Sequence, residues 1–381
     1  MMRFKVDLYL LLGALTTSLV DAQAGSAVRP GPLRQWSIST QPTFTTESRS
    51  VKDTVILFDV IGATVLANGT VVVGDNGAQN VKWFAANGTH LRSFGRDGDG
   101  PGEFRLVNLI GTCGSDSVFV LDGANRRLSM LSLDGKFYGM RALYTDAVDK
   151  RAPSAIKCGG NRRFALLGQP RGSMPAGDLP FRSEVAVRIQ SVDGVQITDA
   201  GVVSGSDRQR FGNSAGPRPL GKKSLVAIGS GWLYVGTGDS NLIQVFTLSG
   251  KPAAKIQLPF ERRPISKREI DEYIKNVARL NLKLSESTVR SMYAPLKYPD
   301  FFPTHGELLV DNLNNFWVEE YRLPGQTASR WIVFDAMHQA VAEARLPNDF
   351  RLIEVGRDYV LGVWSDEDNV KHVRMYRLIR S

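Results

Sequence analysis

Three stretches of the chain share one rhythm of apolar and polar positions. GTVVVGDNGAQNVKWFAANGTHLRSFG begins at Gly69, DSVFVLDGANRRLSMLSLDGKFYGM at Asp116, and GWLYVGTGDSNLIQVFTLSGKPAAKI at Gly231. In each, a β-rich run ends near an Asp, a short polar turn follows, and two further strands flank a turn containing glycine. Asp75 and Asp122 hold equivalent places 47 residues apart. The turn glycines Gly88, Gly135 and Gly250 suit tight hairpins, which require positive φ. Looser copies follow in SAIKCGGNRRFALLG with VAVRIQSVDGVQITDAG, in GELLVDNLNNFWVEEY with SRWIVFDAMHQAVAEARLP, and in RLIEVGRDYVLGVWSDEDNVKHVRMYRLI. That makes six copies of a four-stranded meander. The pattern predicts an all-β fold, a six-bladed β-propeller. The last copy lacks a fourth strand. RQWSISTQPTF, near the N-terminus, is placed to supply it and so close the ring.

Between the fourth and fifth copies, over about residues 261–302, the β rhythm stops. Ser266 and Glu269 form a capping box, and Ile270, Tyr273, Ile274, Val277 and Leu280 follow at helical spacing. Ser285 can cap a second helix carrying Val289, Met292 and Tyr293, which Pro295 ends. The insertion is rich in base, including Arg262, Arg263, Lys267, Arg268, Lys275, Arg279, Lys283 and Arg290. It reads either as a lid over the axial mouth contacting an anionic ligand, or as a helix pair with a solvated basic face.

Composition places the rest. The 381 residues are 43% hydrophobic and 22% charged, an ordinary globular balance. Arg3 and Lys5, the apolar run Leu8–Val20, and Ala22-Gln23-Ala24 have the layout of a secretory signal peptide over residues 1–24. Residues 25–381 then form one exported domain, periplasmic or extracellular, with no membrane span after cleavage. The net charge of +9 draws the chain toward anionic polymers or serves solubility. No basic tail or zinc-finger spacing points to nucleic acid. The two cysteines, Cys113 and Cys158, hold the same place in adjacent copies and are candidates for one disulfide.

FGRDGDGPGEF, from Phe94 to Phe104, followed by a strand and VFVLDGANRRLSMLSLDG, resembles an NHL-type repeat. That family's pattern is a G-x-G-P-G-x-F turn, a strand ending in Asp, then N-x-R and another strand. The likeness is clear over about residues 60–143, fair over 223–260 and loose elsewhere. The whole chain resembles exported bacterial six-bladed β-propellers, and the resemblance brings no catalytic motif. It implies that the glycine-rich segment is a turn between blades. Asp97, Asp99 and Glu103 only partly imitate a calcium loop, and the EF-hand spacing is absent; calcium is the one cofactor the segment raises.

Other motifs divide between chemistry and structure. Gly212–Gly216, GNSAG, matches a nucleophile elbow, but Pro217 and Pro219 argue against the helix that an elbow requires. His90, His338 and His372 fall on outer strands or their turns; only His305 precedes an inner strand. No inward set of carboxylates and histidines recurs at matched positions, so no metal site is assigned. Asp75, Asp122, Asp239, Glu319 and Glu320 lie at second-strand ends on one face, where such side chains commonly bond backbone amides. Asn68 and Asn87 head glycosylation sequons within hairpin turns.

The reading that follows is a binding or scaffolding module for an envelope ligand: a protein, a peptide or an anionic glycan. His305, Lys223, Glu319, Glu320, Tyr273 and Arg279 are the candidate contacts. The alternative is a metal-dependent hydrolase, lactonase or lyase with an axial site, which rests on fold analogy alone.

Overall fold

The computed structural model describes residues 32–47, 55–114, 116–143, 151–170, 177, 179–211, 214–280, 284–366 and 370–381. The segment assigned to the signal peptide lies outside them. Two strands open the described chain, β1 (Arg34–Ile38) and β2 (Phe44–Thr45). A first antiparallel meander holds β3 (Val60–Val65), β4 (Val71–Asp75), β5 (Asn80–Phe84) and β6 (His90–Phe94). A second holds β7 (Val107–Gly111), β8 (Ser117–Asp122), β9 (Arg127–Ser132) and β10 (Phe137–Ala142). A third holds β11 (Ala155–Gly159), β12 (Arg163–Leu167), β13 (Glu184–Ser191) and β14 (Ile197–Ser204). A separate hairpin, β15 (Arg208–Phe211) and β16 (Ser214–Pro217), precedes the fourth meander. That fourth comprises β17 (Leu225–Ile228), β18 (Trp232–Gly236), β19 (Leu242–Thr247) and β20 (Pro252–Gln257).

Helices α1 (Lys267–Leu280) and α2 (Glu286–Tyr293) follow. The fifth meander is β21 (His305–Val310), β22 (Phe316–Glu320), β23 (Ala328–Phe334) and β24 (Ala340–Pro347). The chain ends in β25 (Phe350–Val355), β26 (Tyr359–Ser365) and β27 (Lys371–Ile379). The missing fourth strand of this last sheet comes from the N-terminal end. Phe44 pairs with Met375 and Ser37 with Ile379, both antiparallel. β1 also pairs in parallel with β24, through Arg34 and Ala342, so it bonds two neighbouring sheets at once.

The first strands touch in cyclic order: β3 meets β7, β7 meets β11, β11 meets β17, β17 meets β21, β21 meets β25, and β25 returns to β3. Face-packed meanders arranged in a closed ring around an axis make a β-propeller. An apolar layer fills each junction. Val72, Trp83, Val107 and Val120 pack between the first and second sheets, and Phe119, Leu121, Phe164 and Leu166 between the second and third. Ala165, Val187, Leu233 and Val235 fill the next junction, and Tyr234, Val245, Phe316 and Val318 the one after. Trp317, Trp331 and Val360 pack with Trp36 of β1, while Leu361, Val373, Val71 and Val73 pack with Phe44 of β2.

This packing explains the apolar runs. Val71 and Val73 face one junction and Val72 the other, so all five residues of β4 are buried. A strand covered on both faces loses the alternation of a half-solvated one. Fourth strands lie at the outer edge, and β6 and β20 are correspondingly exposed along most of their length.

Candidate functional site

Asp75 and Asp122 close the start of their own sheets. Asp75 accepts from the amides of Phe58 and Asp59 and pairs with Lys82 at 2.8 Å. Asp122 accepts from the amides of Arg105 and Leu106, and Arg127 lies 3.6 Å away. In the fifth sheet Glu319 takes this place, accepting from the Glu307 amide at 3.1 Å and meeting Arg322 Nε at 2.6 Å. Burial pushes the Glu319 carboxyl above its ordinary range, with Arg322 acting in the opposite direction. These carboxylates are occupied within their own sheets. Asp239 pairs instead with Arg182 and Lys222.

The glycine-rich segment is likewise self-contained. Arg105 pairs with both Asp97 and Asp99, Glu103 accepts from Arg96 and the Gly100 amide, and Arg127 donates to the carbonyls of Asp99, Gly100 and Glu103. Gly98 and Gly102 sit at φ of 150° and 77°, which lets the chain fold back so tightly. GNSAG is no elbow: Ser214 opens β16, a strand rather than a helix, and its hydroxyl donates to the Phe211 carbonyl; Gly212 and Asn213 lie outside the described residues. The segment is also more than an interblade turn, because β15 and β16 pair as a hairpin of their own. Asn68 and Asn87 accept from the amides of Thr70 and Thr89 and so shape their turns.

The helical insertion is anchored at its base. Pro264 bridges Phe301, the Ile265 amide donates to the Asp300 carbonyl, and Arg263 reaches the Tyr321 carbonyl and Glu320. Ser266 and Glu269 form the capping box, with the Ser266 amide donating to Glu269 at 2.6 Å. Ser285 caps α2, Ile274 and Val289 are buried, and the two helices pack on one another. Arg290 joins the two helices through Asp271 at 2.6 Å. Leu280, expected on the apolar face, is exposed.

Between α1 and residues 321–326 lies a cleft of about 560 Å³. Glu272, Tyr273, Lys275, Asn276 and Arg279 line it from the helix, and Tyr321, Arg322 and Gln326 from the loop. Arg279 donates to Asn276 Oδ1 at 3.1 Å, and Lys275 pairs with Glu272 at 3.3 Å. Burial pushes the hydroxyls of Tyr273 and Tyr321 up to about 12, so both are neutral donors at any physiological pH. The structure thus brings Tyr273 and Arg279 into one cleft beside the strand that carries Glu319 and Glu320. Glu320 is held by Arg263 and Arg330.

His305 is placed elsewhere. It is 3% exposed, and its ring packs so closely on Gly236 that an added Cβ would lie 2.5 Å from Nε2. Burial lowers its pKa, which favours the neutral ring, and Nδ1 lies 3.1 Å from the Gly306 carbonyl oxygen. Lys223 is exposed and lines neither this cleft nor the axial channel. No described residue of the insertion lines that channel.

The channel is the feature that sequence reasoning missed. It has a volume of about 470 Å³ and is walled by all six first strands. Lys157, Glu307, Arg351 and Glu354 contribute charged groups, and Asn108 a neutral amide. Glu354 accepts from Thr64 Oγ1 at 2.6 Å, from Tyr359 at 2.5 Å and from the Val65 amide, and burial raises its pKa. Cys113 and Cys158 are bonded at the channel wall, with Cα atoms 4.9 Å apart. The four charged residues do not share one repeat position, so the internal alignment carried no signal for them.

Comparison with known proteins adds the following. No protein-family model matches the chain, and no curated protein matches it significantly. Among solved structures, a protein described as exported from Bacteroides fragilis is 13% identical, covers 91% of this chain and 95% of its own, and has a TM-score of 0.48. A DUF4221 family member from Bacteroides vulgatus is 11% identical over 92% and 100%, with a TM-score of 0.49. Virginiamycin B lyase from Staphylococcus aureus is 13% identical over 84% and 86%, with a TM-score of 0.41. At these scores the fold rests on the ring of sheets itself, and no activity passes from these proteins to this chain. No helix among the described residues is long and apolar enough to cross a membrane.

Proposed function

We propose that the chain is an exported six-bladed β-propeller of NHL-like repeats that acts as a binding or scaffolding module in the cell envelope. Its ligand surface is the cleft between α1 and residues 321–326. One observation carries this reading: the cleft gathers three cations, Lys275, Arg279 and Arg322, against one lining acid, Glu272, around Tyr273 and Tyr321. Cations beside aromatic faces suit an anionic glycan or an acidic segment of a partner protein. The alternative is a metal-dependent hydrolase, lactonase or lyase with an axial site, which rests on fold analogy alone.

The test is calorimetric titration with acidic and neutral envelope oligosaccharides and with acidic peptides. Arg279→Ala and Tyr273→Ala should each weaken binding of the acidic ligand about tenfold, the worth of one charge-assisted or stacking contact. Equal binding of neutral and acidic ligands, or no effect of either variant, would refute the reading.

A further inference from the structure

The axial channel carries unused charge. The Lys157 ammonium of β11 has no hydrogen-bond or ion-pair partner among the described residues, although the residue lines the channel. Arg351 of β25 donates to the Val60 carbonyl at 2.6 Å. Arg351 is exposed, and it lines the channel. β11 and β25 stand three steps apart in either direction around the ring of first strands, so the two cations come from opposite walls. Glu307 of β21 lies close enough to Arg351 to influence its charge, and the Glu307 carboxylate has no direct partner among the described residues. Asn108 of β7 adds an amide on the remaining side. Ile61, Ile110 and Leu309 supply apolar wall between these groups.

We infer that the axial channel is a second binding site, one that takes a small hydroxylated carboxylate of sugar-acid type. Glu354 also lines the channel, but its oxygens are taken by Thr64, Tyr359 and the Val65 amide and burial favours its neutral form, so two opposed cations stand against the one unpartnered carboxylate of Glu307 and leave a site that favours a single negative group. Lys157 and Arg351 meet the ligand's carboxylate. Glu307 and Asn108 accept from and donate to its hydroxyls, and the apolar wall covers its ring carbons. A channel of about 470 Å³ falls in the range of small-molecule pockets. The site shares no lining residue with the cleft beside α1, so this inference does not rest on that reading.

Equilibrium dialysis of the mature protein with labelled glucuronate, and with glucose as the neutral counterpart, tests it. The expected result is one saturable site for glucuronate that glucose does not fill. Lys157→Gln should weaken it about tenfold or more, the effect of one charge-assisted hydrogen bond. Because the Lys157 ammonium holds no partner among the described residues, this variant should melt with the wild type. Arg279→Ala should leave the site unchanged. No binding at about 10 mM glucuronate, which would fill any millimolar site, overturns the inference. So does unaltered affinity in Lys157→Gln. Binding lost in Arg279→Ala but kept in Lys157→Gln also overturns it, and assigns the ligand to the cleft.

Discussion

The Cys113–Cys158 bond joins the second and third sheets beside the channel, and its contribution can be worked out in advance. The two residues are 45 apart in sequence. Closing a loop of that length removes denatured-state entropy worth about 4 kcal/mol at 25 °C in the chain-entropy treatment. For the unit Leu33–Ser381 the unfolding entropy is about 0.7 kcal/mol/K near 60 °C, so breaking the bond should lower Tm by about 5 °C. The perturbation is best made twice, by mild reduction of the wild type and by replacing both cysteines with alanine. Reduction isolates the cross-link, whereas the double variant also removes two sulfurs, and Cys113 is buried. Scanning calorimetry at matched pH, with intact mass to count thiols, gives both readouts. Two free thiols in material from an oxidising compartment would refute the reasoning at its root. A bonded protein whose Tm falls by less than about 1 °C on reduction would show that the loop is already constrained when unfolded.

Two further outcomes follow from buried carboxylates. Asp75→Ala strands the Lys82 ammonium in the core and leaves two strand-initiating amides without their acceptor, so it should cost about 3–5 kcal/mol by denaturant titration; a loss below about 1 kcal/mol would mean that Lys82 finds water. Glu354→Gln should change the pH dependence of stability. Burial holds the Glu354 carboxyl above its ordinary value of 4.5, so the folded chain binds more protons than the unfolded one above that pH. The stability this group contributes is full below about pH 4.5 and is lost as pH rises through its elevated folded value. The glutamine variant should therefore gain on the wild type between acid and neutral pH in urea titrations, and a constant difference across that range would contradict the assignment.

The repeat was legible because a sheet buried on both faces leaves a strong mark. Runs such as VVVGD and SVFVLD are continuous apolar strands ending in an Asp that closes the sheet, and nothing local competes with that pattern. The helix pair was legible too, since a capping box and a helical stripe are short-range signals. The β15–β16 hairpin was not, because its four-residue strands, RQRF and SAGP, carry no long apolar run. The place of β1 against both β24 and β27 depends on strands about 300 residues away, and no local pattern encodes it.

Function divides along the same line. The sequence by itself determined the strand rhythm, the turn chemistry, the two helices and the basic character of the insertion, all of which depend on neighbours a few residues away. Tertiary structure alone decided which charged groups face one another. Closure of the ring set Lys157 against Arg351 across the axis, buried His305 on Gly236, and brought Tyr273 and Arg279 against residues 321–326. The physical reason is that a site on a propeller collects one side chain from each of several sheets, so its members are far apart in the chain and their convergence exists only once the last strand closes the ring.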